Sequence, residues 1–299
     1  MAQCSSPATI VATFYRFVTL SDVATLQNQL LDLGQRHGLK GTILLAQEGI
    51  NATVAGSRSD LDALFAFLAE DSRFVGLMPR ESRVSTPPFQ RFKVKIKSEI
   101  VTLGQPEADP SQKVGTYVPP QEWNALIQDP EVVLVDTRNE YEVEIGSFQR
   151  AINPRTDRFR DFPSYVQQNL DPQKHRKVAL FCTGGIRCEK ATSLLLNQGF
   201  ESVYHLQGGI LSYLETVKPE ESLWNGECFV FDERVAVTHG LEPGHYAMCP
   251  SCGHPLSEAD RQSPAYEWGI SCPACVADLT PQKRQRQEMR LKTALVKSV

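Results

Sequence analysis

Residues Val178-Ala-Leu-Phe-Cys182-Thr-Gly-Gly-Ile-Arg187-Cys188 constrain the fold more than any other stretch. A short apolar strand ends on a cysteine, a loop with Gly184 and Gly185 follows, and the pattern after Arg187 is helical. A loop this tight points several backbone N–H groups at one spot. The helix behind it adds the positive end of its dipole. A thiolate at Cys182 is therefore expected below the usual cysteine pKa, as a nucleophile ringed by anion-binding donors. The competing reading is a buried, inert cysteine on a strand–helix turn. The glycine pair and the arginine suit anion capture and add little to packing.

The chain has 299 residues, room for two or three domains with separate cores. No apolar run approaches membrane-spanning length. The N-terminus lacks a basic region followed by an apolar core and a small-residue cleavage site, so no secretory signal is read and a cytoplasmic location is expected. Eight cysteines in such a chain argue for metal or catalysis before disulfides. The net charge of −4 excludes a chain built only to coat nucleic acid, so any RNA contact must come from local patches. Arg80 to Lys97, Arg150 to Lys177 and Lys283 to Lys297 are locally basic. Each alone is more often a solvated face than a binding site.

Residues 1–100 read β-α-β-β-α-β. Thr9 to Val18 is a strand; Val23, Leu26, Leu30 and Leu33 space a helix over Asp22 to His37, which Gly38 ends. Two short strands flank Gln47-Glu48-Gly49, and Ser57-Arg-Ser-Asp60 opens a second helix as a capping box. Phe89 to Lys97 is read as the last strand, with Phe92, Val94 and Ile96 on one face and Arg91, Lys93, Lys95 and Lys97 on the other. This order fits a ferredoxin-like α+β domain. The cationic row can meet phosphates, and it equally suits an edge guarded by lysines. Residues 101–117 read as a linker. Residues 118–221 alternate strands (Val132 to Asp136, Arg176 to Phe181, Val203 to Leu206) with helices, which predicts an α/β parallel sheet covered on both faces.

Residues 222–299 carry Cys249-Pro-Ser-Cys252 and Cys272-Pro-Ala-Cys275, nineteen residues apart. Two such knuckles predict one tetrahedral Cys4 zinc site, structural because four thiolates leave no open position. Coincidental pairs or a redox motif are the alternative. His245 and His254 read as bystanders, and the tail from Pro281 is basic and helical in composition.

The central region resembles a rhodanese homology domain on Asp136-Thr-Arg138, Glu142, Gly146, Ala151-Ile-Asn153, the Cys182 to Arg187 loop and Tyr204-His-Leu-Gln-Gly-Gly209. The resemblance implies that Cys182 is the active-site residue, that Arg187 closes the anion cradle of Thr183, Gly184, Gly185 and Ile186, and that the loop is of the sulfurtransferase length. Three longer phrases, Leu45-Ala-Gln-Glu-Gly-Ile-Asn51-Ala-Thr, Cys182-Thr-Gly-Gly-Ile-Arg-Cys-Glu-Lys190-Ala and Glu221-Ser-Leu-Trp-Asn-Gly-Glu-Cys-Phe-Val-Phe-Asp232, resemble the oxygen-dependent tRNA uridine hydroxylases over nearly the whole chain. That resemblance implies tRNA as substrate, molecular oxygen as co-substrate and 5-hydroxyuridine at the wobble position as product.

The residues alone do not reach hydroxylation. No two-His-one-carboxylate triad and no glycine-rich dinucleotide fingerprint is evident, so no iron, flavin or nicotinamide site is readable in the sequence. One chemical route is addition of the Cys182 thiolate to C6 of a uracil, which makes C5 electron-rich for capture of oxygen. Cys188 is either a resolving thiol or a core cysteine. Sulfur transfer through a Cys182 persulfide is the runner-up, a non-catalytic tRNA-binding adaptor comes third, and a phosphatase is weakest. Arg91, Lys93, Lys95 and Arg155 are RNA-contact candidates on charge alone.

Overall fold

A computed structural model of the chain describes residues 9–84 and 88–297. Cys4 lies outside the described residues. The fold is mixed α/β. The N-terminal domain runs β1 (Thr9–Phe17), α1 (Val23–Arg36), β2 (Lys40–Ala46), β3 (Gly49–Gly56), α2 (Arg58–Ala69), β4 (Arg80–Val84) and β5 (Phe92–Ile96). Its sheet order is β4-β1-β3-β2-β5. The first four strands are antiparallel neighbours in the ferredoxin-like arrangement. Leu26, Leu30 and Leu33 of α1 and Leu61, Leu64 and Leu68 of α2 are buried on the inner face, together with Phe14, Ile43 and Val54. Ser57 caps α2 in a capping box with Asp60, a feature that stabilises a helix start by about 1 kcal/mol.

The segment expected as the last ferredoxin strand, Phe89 to Lys97, does not take that place in the sheet. The fourth ferredoxin strand is Arg80–Val84, and Phe92–Ile96 is an added strand on the opposite edge, parallel to β2. Arg-Glu-Ser-Arg-Val has no apolar alternation because it is an edge strand with no fully buried face, so periodicity does not reveal it. The alternation in β5 is real but only half as deep as expected. Val94 is buried and Phe92 packs where α1 carries Gly34, while Ile96 is 46% exposed.

The second domain comprises β6 (Thr116–Val118), α3 (Pro120–Gln128), β7 (Val132–Asp136), α4 (Glu140–Val143), β8 (Gly146–Phe148), α5 (Phe162–Asn169), β9 (Lys177–Phe181), α6 (Ile186–Asn197), β10 (Ser202–Leu206) and α7 (Gly209–Thr216). Its four-stranded sheet, ordered β6-β10-β9-β7, is parallel throughout. A parallel sheet must be covered on both faces. One face packs Trp123, Phe181, Ile210 and Tyr213, and the other packs Phe162, Leu180, Ala191 and Leu195. Residues 101–115 contain no strand or helix, yet Leu103 and Ala108 are buried in that second core cluster, so the connection is bound to the domain surface.

The remaining chain is built of short pieces. β11 (Trp224–Gly226) pairs with β8, and β12 (Cys228–Phe229) pairs with β13 (Ala236–Val237). β14 (Ala247–Met248) and β15 (Pro255–Leu256) form a ribbon, followed by α8 (Glu258–Gln262) and the basic helix α9 (Pro281–Lys297). Leu291 of α9 packs against Gly269, and Arg284 pairs with Glu267, which ties the helix to the cysteine-bearing segment.

Candidate active site

Cys182 follows β9 directly, and α6 begins at Ile186, so the loop sits between a fixed strand end and a helix N-terminus. Gly185 has φ +98° and Gly209 has φ +67°. Gly209 is required by close approach as well, because a Cβ there would lie 2.5 Å from the carbonyl oxygens of both Cys182 and Thr183. The N-terminus of α7 instead donates to those carbonyls, Ile210 N to Cys182 O at 2.9 Å and Leu211 N to Thr183 O at 3.1 Å. With its carbonyls turned away, the loop aims its amides inward. Gly185 N–H donates to Cys182 Sγ at 3.1 Å.

Burial of Cys182 pushes its pKa up, and four stabilising contacts outweigh that. They are the neighbouring Cys188 thiol, the charge of Arg187, and the backbone N–H groups of Cys188 and Arg187; together they bring Cys182 down to about 6. Cys188 is fully buried, which raises its pKa, as does the neighbouring Cys182 sulfur. It is thus the protonated donor of the pair, with Thr137 Oγ1 at 3.7 Å.

Arg187 is placed differently from the expected cradle-closing role. Its guanidinium forms a bidentate pair with Glu142, Nη1 to Oε1 at 2.6 Å and Nη2 to Oε2 at 2.7 Å. Both side chains are buried. Burial raises the Glu142 pKa, and Arg187 more than reverses this and keeps it an anion. A second buried pair, Arg138 with Asp136, lies behind it. Arg138 also donates to the carbonyls of Glu142 and Gly146. Arg187 therefore acts on the sulfur as a fixed charge.

Two other parts of the chain close on this loop. From the N-terminal domain, Tyr15 donates to Glu189 Oε1 at 2.9 Å, and a Cβ on Gly185 would lie 2.9 Å from the Tyr15 hydroxyl. Lys190, 2% exposed, pairs with Glu48 at 2.8 Å and with Glu99. Arg80 pairs with Glu215 of α7 at 2.8 Å. From the C-terminal region, the Phe229 carbonyl accepts from Thr183 Oγ1 at 3.5 Å, and the exposed ring of Phe231 lies 5.9 Å from the Arg187 guanidinium carbon. A cleft of about 620 Å³ lies beside these contacts, lined by Glu81, Arg83, Glu215, Glu233 and Arg234, and includes no loop residue.

Thr183 through Cys188 thus gather around Cys182. Arg91, Lys93 and Lys95 do not join them. They flank or belong to β5, at the opposite sheet edge from β4, and are exposed. Arg155 is an exposed residue with φ +53°, its N–H held by Asn153. Tyr15, Arg80 and Glu189 join the site without any mark in the sequence spacing, since isolated tyrosines and charges carry no periodic signal.

Cys249, Cys252, Cys272 and Cys275 form a separate site with all four sulfurs within 4.8 Å of one another. The Cys252–Cys272 and Cys272–Cys275 sulfurs are 3.7 Å apart. A tetrahedron with metal–sulfur bonds of about 2.3 Å has edges of about 3.8 Å, so the set fits a metal ion. His245 pairs with Glu227 and His254 with Glu144, which engages both outside that set.

The UPF0176 acylphosphatase like domain profile matches residues 9–100, and the rhodanese-like domain profile matches residues 119–216. Over 281 residues, 94% of each chain, the protein is 58% identical to the tRNA uridine(34) hydroxylase of Picosynechococcus sp. (strain ATCC 27264 / PCC 7002 / PR-6). Among solved structures, the rhodanese-like domain of an Anabaena sp. protein aligns with 38% of this chain and 80% of its own, at 17% identity and TM-score 0.31. A rhodanese-related protein from Thermoplasma volcanium aligns with 35% of this chain and 95% of its own, at 23% identity and TM-score 0.27.

Proposed function

The chain belongs to the tRNA uridine(34) hydroxylase family, and from that premise we propose that it converts the wobble uridine of tRNA to 5-hydroxyuridine with molecular oxygen as co-substrate and Cys182 as nucleophile. The observation that carries the role of Cys182 is its sulfur, held by the Gly185 N–H at 3.1 Å with the Arg187 fork committed to Glu142. A thiolate stabilised by amides and a remote charge stays free to attack carbon. A guanidinium locked in a bidentate pair has little left for a free oxyanion. That favours a neutral pyrimidine over thiosulfate or a phosphate ester.

Addition of the thiolate to C6 moves an electron pair to C5 and O4. C5 then captures dioxygen as a hydroperoxide, a thiol takes the outer oxygen and becomes a sulfenic acid while the hydroxyl stays on C5, and loss of the C5 hydrogen expels the Cys182 thiolate, which condenses with the sulfenic acid to a disulfide and water. Uridine, dioxygen and two thiols balance with 5-hydroxyuridine, a disulfide and water. Cys188, whose thiol neighbours Cys182, belongs to the class of reductant required and serves as resolving thiol. Residues 1–100 and 222–299 flank the catalytic unit 118–221 and grip tRNA, with the basic rows at Arg91, Lys93 and Lys95, at Arg155 and on α9 supplying phosphate contacts. The four knuckle cysteines hold zinc, which supplies a structural cross-link and no reactive position. A tRNA substrate supports a cytoplasmic location. No helix among the described residues is long and apolar enough to cross a membrane.

Nucleoside analysis of tRNA from a strain lacking the gene tests this. Restoring the gene returns 5-hydroxyuridine, and the Cys182→Ala gene does not. Full 5-hydroxyuridine with Cys182→Ala removes the cysteine from the reaction. The runner-up, persulfide-based sulfur transfer, predicts instead an extra sulfur on purified Cys182 and thiocyanate release with cyanide.

A further inference from the structure

Glu189 is a buried carboxylate that no cation among the described residues pairs with. It is 6% exposed, and burial raises its pKa. Its Oε1 accepts from Tyr15 at 2.9 Å and its Oε2 from Tyr117 at 2.7 Å. The neighbouring cations are committed elsewhere: Lys190 to Glu48 and Glu99, Arg187 to Glu142, Arg80 to Glu215. Behind Tyr117 stands His205, its ring 4.3 Å away, buried, with its pKa lowered by burial to about 4. The surroundings therefore bring Glu189 no positive charge.

A carboxylate that only tied two domains together would do so better with a cation, and the adjacent Lys190 already makes that tie. What Glu189 has instead is two phenols. Tyr15 comes from the other domain and its hydroxyl lies over Gly185, whose amide holds the Cys182 sulfur. The Tyr15 proton points at Glu189, so a lone pair of the phenol oxygen is left for a group bound at the loop.

We propose that Tyr15 and Glu189 form the proton relay that removes the hydrogen from C5 of the target uracil. This rests on the reading that Cys182 adds to C6. Once C5 carries its oxygen, the C5–H bond breaks and its electrons form the C5–C6 double bond. The C6–S bond breaks and returns its pair to Cys182 as thiolate. The C5 proton passes to the Tyr15 oxygen while the Tyr15 proton passes to Glu189 Oε1. Tyr15 touches the reacting hydrogen, and Glu189 acts through it. Without dioxygen the same relay runs both ways on the C6 adduct. It delivers a proton to C5, removes one, and so exchanges the C5 hydrogen with solvent.

The test uses the full-length protein and substrate tRNA in deuterated water without dioxygen, with mass analysis of the released nucleosides. The wild-type protein introduces deuterium at C5 of the target uridine, and Cys182→Ala does not. Tyr15→Phe and Glu189→Gln lower the exchange rate by on the order of 10²-fold, the ordinary contribution of a positioned base. Both variants keep wild-type tRNA affinity and Cys182 alkylation. Exchange at the wild-type rate in either variant overturns the relay and leaves Cys182 addition standing. Absence of exchange in the wild type overturns the addition itself. Loss of exchange together with tRNA binding in both variants makes the pair structural and also overturns the relay.

Discussion

Cys188→Ala tests most directly how the loop activates its sulfur. The Cys182 pKa of about 6, against an ordinary 9.0, leaves about 90% thiolate at pH 7 where a free cysteine has about 1%. Nucleophilicity falls with pKa at a Brønsted slope of about 0.4–0.5, so three units cost about 20-fold and the net gain at pH 7 is about fourfold. Burial opposes the thiolate, and the Cys188 thiol is the foremost group that favours it. Removing a hydrogen bond to a charged group costs about 1.5–3 kcal/mol, which moves the pKa up by about 1–2 units. The sign is definite. Cys182 is reactive above its pKa, so the alkaline plateau persists in the variant and the loss appears between about pH 6 and 8. The assay is iodoacetamide modification across pH, quantified on the Cys182 peptide by mass spectrometry. A wild-type midpoint at or above 8 refutes the activated thiolate, and an unshifted midpoint in Cys188→Ala refutes the assignment of its cause.

Further outcomes follow from the same contacts. Glu142→Gln strands the buried Arg187 charge, so thermal unfolding of the second domain shifts down by an amount equivalent to about 3–5 kcal/mol, and sulfate becomes a stronger inhibitor as the guanidinium is freed. Unchanged melting and unchanged sulfate inhibition speak against the locked fork. Lys190→Met leaves Glu48 and Glu99 facing each other without their cation; limited proteolysis then cuts faster between residues 97 and 118, and equal rates refute the clamp. Chelation of the knuckle metal lowers the melting temperature of residues 222–299 and releases close to one zinc per chain by colorimetric assay; a chain purified without metal at full stability contradicts the site. Replacing Lys93 and Lys95 with Ala flattens the salt dependence of tRNA binding by about two in slope if both meet phosphates, and an unchanged slope returns β5 to a solvated edge.

What the sequence shows of this protein depends on whether a signal is local. The Cys182 loop is a local signal, because strand, glycines and helix start are contiguous and the geometry follows from them. The knuckles are another, since spacing alone gathers four sulfurs. The edge strand Arg80–Val84 left no trace because an edge needs no apolar face. The Arg187–Glu142 pair was half visible. Both residues stood in the rhodanese resemblance, but their pairing spans 45 positions. Tyr15 and Glu189 lie 174 positions apart and join only when two domains dock. The three long phrases of the family resemblance meet in space for that reason: Glu48 reaches Lys190, and Phe229 backs Thr183.

The buried charges around the loop explain why an arginine set close to a thiolate is not simply paired with it. Asp136 with Arg138 and Glu142 with Arg187 make two neutral pairs in a low-dielectric interior, where a lone charge is costly. The Cys182 thiolate is then an extra negative charge, held by amide dipoles and the protonated Cys188. Were Arg187 free, it would collapse onto the sulfur, lower its nucleophilicity further and attract any passing oxyanion. Glu142 prevents this and keeps the cation's field without its contact. The same logic fits Glu189, whose burial beside a developing thiolate raises its proton affinity and suits it to accept a proton as the thiolate returns. Opposed shifts at two groups, one sulfur driven toward the anion and one carboxyl toward the acid, are what a nucleophile and a proton acceptor acting on one ring require.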